Sequence, residues 1–262
     1  MKLIIIAAGK GTRLKPFTNL LPKPLFRVQG EALVERSIKY FMDKGIDDIT
    51  IVIGYMYRKM LFLKEKYKNI KFIYNDKWNE KNNYYSVISA KNELNDDCLI
   101  ISGDIFINID FLDRINLNKS TLFVQKHNSN SFEWEPLVDN SNRILGFEKK
   151  ALSGYVVNCN LLFLKKEIID KYISELEKSE DGEYYEDSLP RLYGKADIFV
   201  EKLEDNTVIE IDSIEDAINS NLVTKIDVLK ELYKNIYNFK QELNSLFNKI
   251  QVKSWQLQQK NI

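Results

Sequence analysis

Apolar residues in this chain fall into short unbroken runs separated by longer stretches of helical periodicity. Residues 3–8 (LIIIAA), 49–53 (ITIVI) and 98–102 (CLIIS) are almost continuously apolar, as strands buried on both faces must be. Residues 71–74 form a further short strand. Between them, residues 33–44 place Leu33, Ile38 and Phe41 at helical spacing and stop at Gly45. Residues 60–67 and 84–94 also read as helices. This alternation predicts an α/β protein with a Rossmann-like, mostly parallel mixed sheet and helices on both faces. Short strands and turns over residues 120–164 predict a mixed extension that covers the cleft. Ligands in such sheets sit beyond the carboxyl ends of the strands. Gly9–Arg13 and Gly103-Asp104 both fall there, after the first and fourth strands.

Beyond residue 219 the pattern changes. Leu222, Leu229, Ile236, Leu243 and Ile250 recur every seven residues, and Leu232, Phe239 and Leu246 follow three of them by three. That a/d stripe predicts a C-terminal amphipathic helix over 220–262, set apart from the α/β unit at 1–219, with a frayed end from Lys253. The stripe fits two partners: the chain's own α/β unit, or a second copy in a homodimer.

Composition narrows the class. With 262 residues and 44% hydrophobic content, the chain can bury a large core. Lysine plus arginine equals aspartate plus glutamate at 38 each, so no broad electrostatic footprint for nucleic acid or an anionic membrane is expected. Cys98 and Cys159 lie in apolar runs and read as small buried hydrophobes, and the single histidine, His127, builds no metal site alone. No apolar run approaches the roughly twenty residues of a membrane span. The first run is too short for a signal peptide and leads straight into a basic loop, so a cytoplasmic location is expected.

That loop carries the chemistry. Gly9-Lys10-Gly11-Thr12-Arg13 is small, flexible and cationic: glycines let backbone amides approach phosphate oxygens, and Arg13 adds a fork of donors. Lys23 is mounted between Pro22 and Pro24, which restrict the backbone around it. The loop is neither a Walker loop, which needs Gly-Lys-Ser/Thr after four residues, nor the three-glycine dinucleotide fingerprint. Asp104 closes a buried strand, where a carboxylate can hold Mg²⁺ against phosphates or simply make a turn. Asp212, in Glu210-Ile211-Asp212-Ser213, is either a second such ligand or the N-cap of a helix starting near Ile214.

The string AAGKGTRL…PKP resembles the phosphate loop of the nucleotidyltransferases that make NDP-sugars and CDP-alcohols. Asn75-Asp76-Lys77-Trp78, Asn82-Asn83-Tyr84-Tyr85-Ser86, Glu133-Trp134, Leu152-Ser153-Gly154 and Glu210-Ile211-Asp212-Ser213 resemble, within that superfamily, the bacterial choline-phosphate cytidylyltransferases of the licC type. The likeness runs over residues 1–219. It implies Mg²⁺-dependent conversion of CTP and phosphocholine to CDP-choline and pyrophosphate, for decoration of a surface glycan or lipid. It implies Mg²⁺ on Asp104 and Asp212, pyrophosphate against Arg13 and the Gly9–Thr12 amides, and Lys23 on the α-phosphate or acceptor phosphate. Ala7, Ala8, Gly9, Gly11, Thr12, Arg13, Lys23, Asn83, Ser86 and Gly103 would form the nucleotide side. Phe147-Glu148-Lys149 resembles the Glu-Lys-Pro element of sugar-phosphate transferases with Lys150 in place of proline, so a sugar-1-phosphate or another phospho-alcohol or phosphonate acceptor stays open. A catalytically silent nucleotide-binding subunit is the alternative of another class.

A quaternary ammonium has no hydrogen-bond donor and is held by aromatic faces and carboxylates. The chain offers Trp134 between Glu133 and Glu135, Tyr84 and Tyr85, and Glu183-Tyr184-Tyr185-Glu186-Asp187. The expected acceptor residues are therefore Tyr84, Tyr85, Trp134, Lys149, Tyr184, Tyr185, Glu186 and Asp187. Taken alone, the last cluster reads rather as a solvated loop or helix start.

Overall fold

The computed structural model describes residues 1–126, 132–151, 154–157 and 160–259, with backbone alone at 132–133, 149–151, 156 and 246–259. His127, Leu152, Ser153 and Cys159, and the side chains of Glu133, Lys149, Leu246 and Ile250, therefore lie outside the described residues.

The apolar runs form the centre of the sheet. β1 (Lys2–Ala7) lies between β2 (Ile49–Ile53) and β4 (Cys98–Ser102), parallel to both, and β3 (Ile70–Tyr74) extends the parallel set beyond β2. Every residue of β1 and β2 is buried. Their alternation decides which layer each side chain joins. Leu3, Ile5 and Ala7 pack with Val34, Ile38 and Phe41 of α1 (Leu33–Asp43). Ile4 and Ile6 face the other layer, with Tyr84 and Val87 of α3 (Tyr84–Ser89) and Ile168, Ile169 and Tyr172 of α4 (Lys166–Leu176). Cys98 sits in this layer and burial pushes its thiol up to about 11, which suits a packing role.

The expected 60–67 helix shortens to α2 (Phe62–Lys66). The 84–94 helix stops at Ser89 and passes into a single tight turn, Lys91–Glu93. Residues 120–164 divide between two structures. β6 (Thr121–Lys126) and β10 (Leu161–Leu164) join the main sheet, β10 antiparallel to both β4 and β6, giving the order β9–β6–β10–β4–β1–β2–β3. Here β9 is Tyr155–Val156, and β11 (Phe199–Lys202) pairs with β6 in parallel. β7 (Phe132–Val138) and β8 (Ile144–Ala151) form a separate antiparallel ribbon. So only the ribbon is an appendage; the rest widens the core.

A small third core ties the end of the chain to its beginning. Leu14, Phe17, Phe26 and Leu33 pack with Ile211, with Ala217 of α5 (Ile214–Asn219), with Leu222, and with Val228 of α6. Helix α6 spans Lys225–Gln259, so the end expected to fray from Lys253 is helical as far as Gln259. Val228 and Leu232 dock on the third core, whereas Leu229, Ile236 and Leu243 stay exposed. Of the stripe, Leu222 and Leu232 pack on the chain itself, and Leu229, Ile236, Phe239 and Leu243 are exposed.

Candidate active site

The strand order puts the ends of β1 and β4 side by side, and everything chemical hangs from them. Ala7 ends β1, Ala8 follows it, and the loop turns at Gly11, whose φ of 62° is left-handed. A Cβ there would stand 2.7 Å from Lys23 Cβ, so glycine leaves the path Lys23 needs. Lys23 opens the tight turn Lys23–Leu25 behind Pro22 and is 6% exposed. At Gly103 a Cβ would stand 3.0 Å from Ala7 Cβ and 3.2 Å from Ile6 O, so its role is close packing beneath the site. It does not line the cavity, contrary to expectation.

Three carboxylates converge on Lys23. β5 (Ile105–Ile107) follows Asp104 and pairs antiparallel with β12 (Val208–Glu210), Ile105 opposite Glu210. Ile211 N also donates to Asp104 O at 3.0 Å. That pairing delivers Glu210 and Asp212 to Asp104, and one oxygen from each lies within 4.8 Å of the others. Lys23 Nζ sits 2.5 Å from Asp104 Oδ2 and 2.5 Å from Asp212 Oδ1, while Arg13 lies 2.6 Å from Asp212 Oδ2. The Arg13 side chain is 72% exposed, free to leave that contact. The N-cap of α5 is Ser213, whose Oγ accepts from Asp216 N at 3.1 Å while Ser213 N donates to Asp216 Oδ2 at 2.6 Å. Asp212 is therefore released to the site.

Burial alone would lower the Lys23 pKa, but Asp104, Asp212 and Glu210 outweigh it and the ammonium is held charged. Burial, then the charges of Asp104 and Asp212, push Glu210 well above the ordinary carboxyl range against the pull of Lys23. Three hard oxygen donors with one cation already among them suit a divalent metal ion. Asp104 Oδ1 is buried without a hydrogen-bond partner, as expected of an atom kept for such a ligand. Glu210 is the member that sequence reading passed over in favour of Asp212.

A cavity of about 350 Å³ opens over these groups. Ala7, Ala8, Gly9, Gly11, Thr12, Arg13, Lys23, Asn83 and Ser86, nine of the ten residues expected on the nucleotide side, line it together. Asn83 and Ser86 are each partly engaged: Asn83 Oδ1 accepts from Tyr185 N at 3.0 Å, and Ser86 Oγ from buried Asn75 at 3.0 Å. Asn75, Trp78, Lys81 and Asn82 were not anticipated in this wall. Asn82 Nδ2 bonds Gly182 O at 2.8 Å and Lys81 pairs with Asp181, which clamps the 81–83 segment to the 181–185 segment.

A second cavity of about 310 Å³ adjoins the first. Trp134 and Phe147 from the ribbon, and Tyr184, Glu186 and Asp187, form its walls. Trp134 and Tyr184 are 42% and 48% exposed and present aromatic surface. The 183–187 cluster is a helix start, not a solvated loop: Tyr184 is the N-cap of the short helix Tyr185–Leu192. Glu183 turns away to Arg191 at 2.5 and 2.6 Å, Glu186 is buried, and Asp187 Oδ2 accepts from Tyr184 N at 2.7 Å. Three expected acceptor tyrosines are corrected. Tyr84 and Tyr185 belong to the core beneath α3 and α4, and Tyr85 packs at its edge. The apolar spacing of Tyr185, Leu189 and Leu192 points that face inward. Lys149 is in β8, its side chain outside the described residues.

Residues 2–207 match the family model for nucleotidyl transferases. The choline-phosphate cytidylyltransferase of Streptococcus pneumoniae is 32% identical over 82% of this chain and 95% of its own length. That of Haemophilus influenzae is 30% identical over 82% of the chain and 94% of its own. The solved structure of the CTP:phosphocholine cytidylyltransferase from Streptococcus pneumoniae superposes with a TM-score of 0.76 at 29% identity, covering 84% of this chain and 96% of that one.

Proposed function

The chain belongs to the nucleotidyl transferase family, and from that premise we propose that it joins CTP to phosphocholine, forming CDP-choline and releasing pyrophosphate. The observation that carries this reading is the second cavity. Trp134 and Tyr184 present aromatic faces beside buried Glu186 and half-buried Asp187, an environment for a cation that cannot donate a hydrogen bond. Relatives aligned over nearly their whole length are choline-phosphate cytidylyltransferases.

An oxygen of the phosphocholine phosphate attacks the α-phosphorus, the bond to the bridging oxygen breaks, and its electron pair leaves with pyrophosphate. The phosphate nucleophile is already anionic at neutral pH, so no side chain is needed as a general base. Arg13 and the amides of the Gly9–Thr12 loop bind the leaving group. Lys23 offsets the repulsion between the phosphates that meet above it. Asp104 and Asp212, with Glu210, would hold Mg²⁺, which when bound neutralises phosphate charge. A cytoplasmic location and use of the product in surface glycan or lipid decoration belong to the same reading.

Pyrophosphate release across the four nucleoside triphosphates tests it, with phosphocholine, phosphoethanolamine, 2-aminoethylphosphonate, glucose-1-phosphate and mannose-1-phosphate as acceptors. Turnover confined to CTP with phosphocholine is expected. Turnover with a sugar phosphate instead removes the ammonium site. Nucleotide binding without any turnover leaves the silent-subunit reading.

A further inference from the structure

Five residues border both cavities: Arg13, Asn160, Tyr184, Glu210 and Asp212. Any group passing from a nucleotide in one cavity to an acceptor in the other crosses the line they draw. Arg13 and Asp212 pair with each other, Glu210 completes the acidic triad, and Tyr184 walls the acceptor side. Asn160 is the neutral member.

Its backbone has φ at 48° in the left-handed region, which glycine adopts freely and asparagine more readily than other side chains. Register holds it there. Leu161, the next residue, opens β10 opposite Ile101 of β4, the strand that delivers Asp104. Asn160 Nδ2 is buried and makes no well-formed hydrogen bond, its one weak engagement being with the Glu210 carboxylate, so a ligand oxygen would complete it. The side chain lies close enough to Glu210 to oppose part of that carboxyl's upward shift, which puts the amide beside the reacting centre. A glycine would make the same turn without strain; the chain keeps a donor there instead.

We propose that Asn160 is a catalytic residue whose Nδ2 donates a hydrogen bond to a non-bridging oxygen of the phosphoryl group in transfer. This rests on the nucleotidyl-transfer reading above. The bond strengthens as charge shifts onto those oxygens in the transition state. A neutral donor suits the position. The nearby cations Lys23 and Arg13 are already shared with carboxylates, whereas Asn160 can turn to the phosphate without giving up an ion pair.

Asn160→Gly is the discriminating variant, because it deletes the amide and relaxes the left-handed backbone together. Steady-state rates with CTP, phosphocholine and Mg²⁺ should show kcat lowered by about 10²-fold, with each KM within about three-fold of wild type. The melting temperature should stay equal or rise, which separates lost chemistry from lost fold. Asn160→Asp, carrying a negative charge toward phosphate, should fall further. A kcat for Asn160→Gly within about three-fold of wild type, or a loss confined to KM, overturns the proposal and leaves Asn160 a turn residue. Absence of turnover by the wild-type chain itself overturns the reading beneath it, a different result from active wild type with an unaffected variant.

Discussion

Replacing Glu186 with glutamine tests the acceptor cavity through a property that needs no substrate. Glu186 is 6% exposed, and its Oε2 lacks a hydrogen-bond partner. Burial raises its carboxyl from 4.5 to about 7, against the pull of a backbone N–H. Between those values the folded chain keeps a proton that the unfolded chain has released, so stability falls as pH rises through this window and is level above it. The contribution is fully present below 4.5 and lost by about pH 7. At about 1.4 kcal/mol per pH unit, that gap amounts to roughly 3 kcal/mol. Glutamine cannot ionise and escapes the loss. Urea unfolding from about pH 5 to about pH 8 should therefore show Glu186→Gln gaining on wild type by up to roughly 3 kcal/mol. A stability difference that stays constant across the window refutes the reasoning.

The same titration carries a functional sign. A trimethylammonium group in the second cavity favours the ionised carboxylate, so the KM for phosphocholine should fall as pH rises through about 7. The phosphate of phosphocholine titrates in wild type and variant alike. The telling quantity is the pH dependence that disappears in Glu186→Gln. Identical KM profiles would detach Glu186 from the acceptor.

Gly11→Ala forces a Cβ to within 2.7 Å of Lys23 Cβ at a φ of 62°. It should cost about 1–2 kcal/mol in stability and, by shifting Lys23, about 10²-fold in kcat; thermal melting and steady-state rates check both. Lys23→Met leaves Asp104 and Asp212 without the ammonium that sits 2.5 Å from each, a loss of about 3–5 kcal/mol. Added Mg²⁺ should raise the melting temperature of this variant more than that of wild type, and equal shifts would count against a shared cation site. The exposed Leu229, Ile236 and Leu243 seam of α6 predicts pairing of two copies. Sedimentation velocity should show a dimer that Ile236→Asp converts to monomer with turnover unchanged, and a wild-type monomer at every concentration refutes it.

What was legible in the chain was what local pattern encodes. β1, β2 and β4 are buried on both faces, so their apolar runs announce them, and the loops at their ends follow from the topology of a parallel sheet. Arg13, Lys23, Asp104 and Asp212 could be picked out because each stands in a short string of restrictive neighbours. Glu210 could not. It stands in a short apolar run, and only the pairing of β12 with β5, across about a hundred residues of chain, turns it toward Asp104. Asn160 was missed for a related reason: an asparagine beside an apolar strand reads as an ordinary turn, and its partner surface is assembled from elsewhere. The tyrosines failed in the opposite direction. Tyr84, Tyr85 and Tyr185 stood in aromatic clusters that invited an ammonium box, yet at least Tyr185 had Leu189 and Leu192 at helical spacing to draw it inward.

Charge counting was silent about the site for a physical reason. Lys23 and Arg13 face Asp104 and Asp212 at 2.5–2.6 Å, with Glu210 behind them, its carboxyl pushed upward by burial and by the two aspartates. Within the four paired groups two cations balance two anions, just as the chain is balanced as a whole. Such a knot has no affinity for phosphate or metal ion by net charge. It offers each a ready set of partners only when the other draws the opposing groups away. A triphosphate that takes Arg13 and Lys23 uncovers the carboxylates, and a divalent cation on the carboxylates frees the two basic groups. Local neutrality is therefore compatible with strong binding of both charged ligands, provided they arrive as a pair.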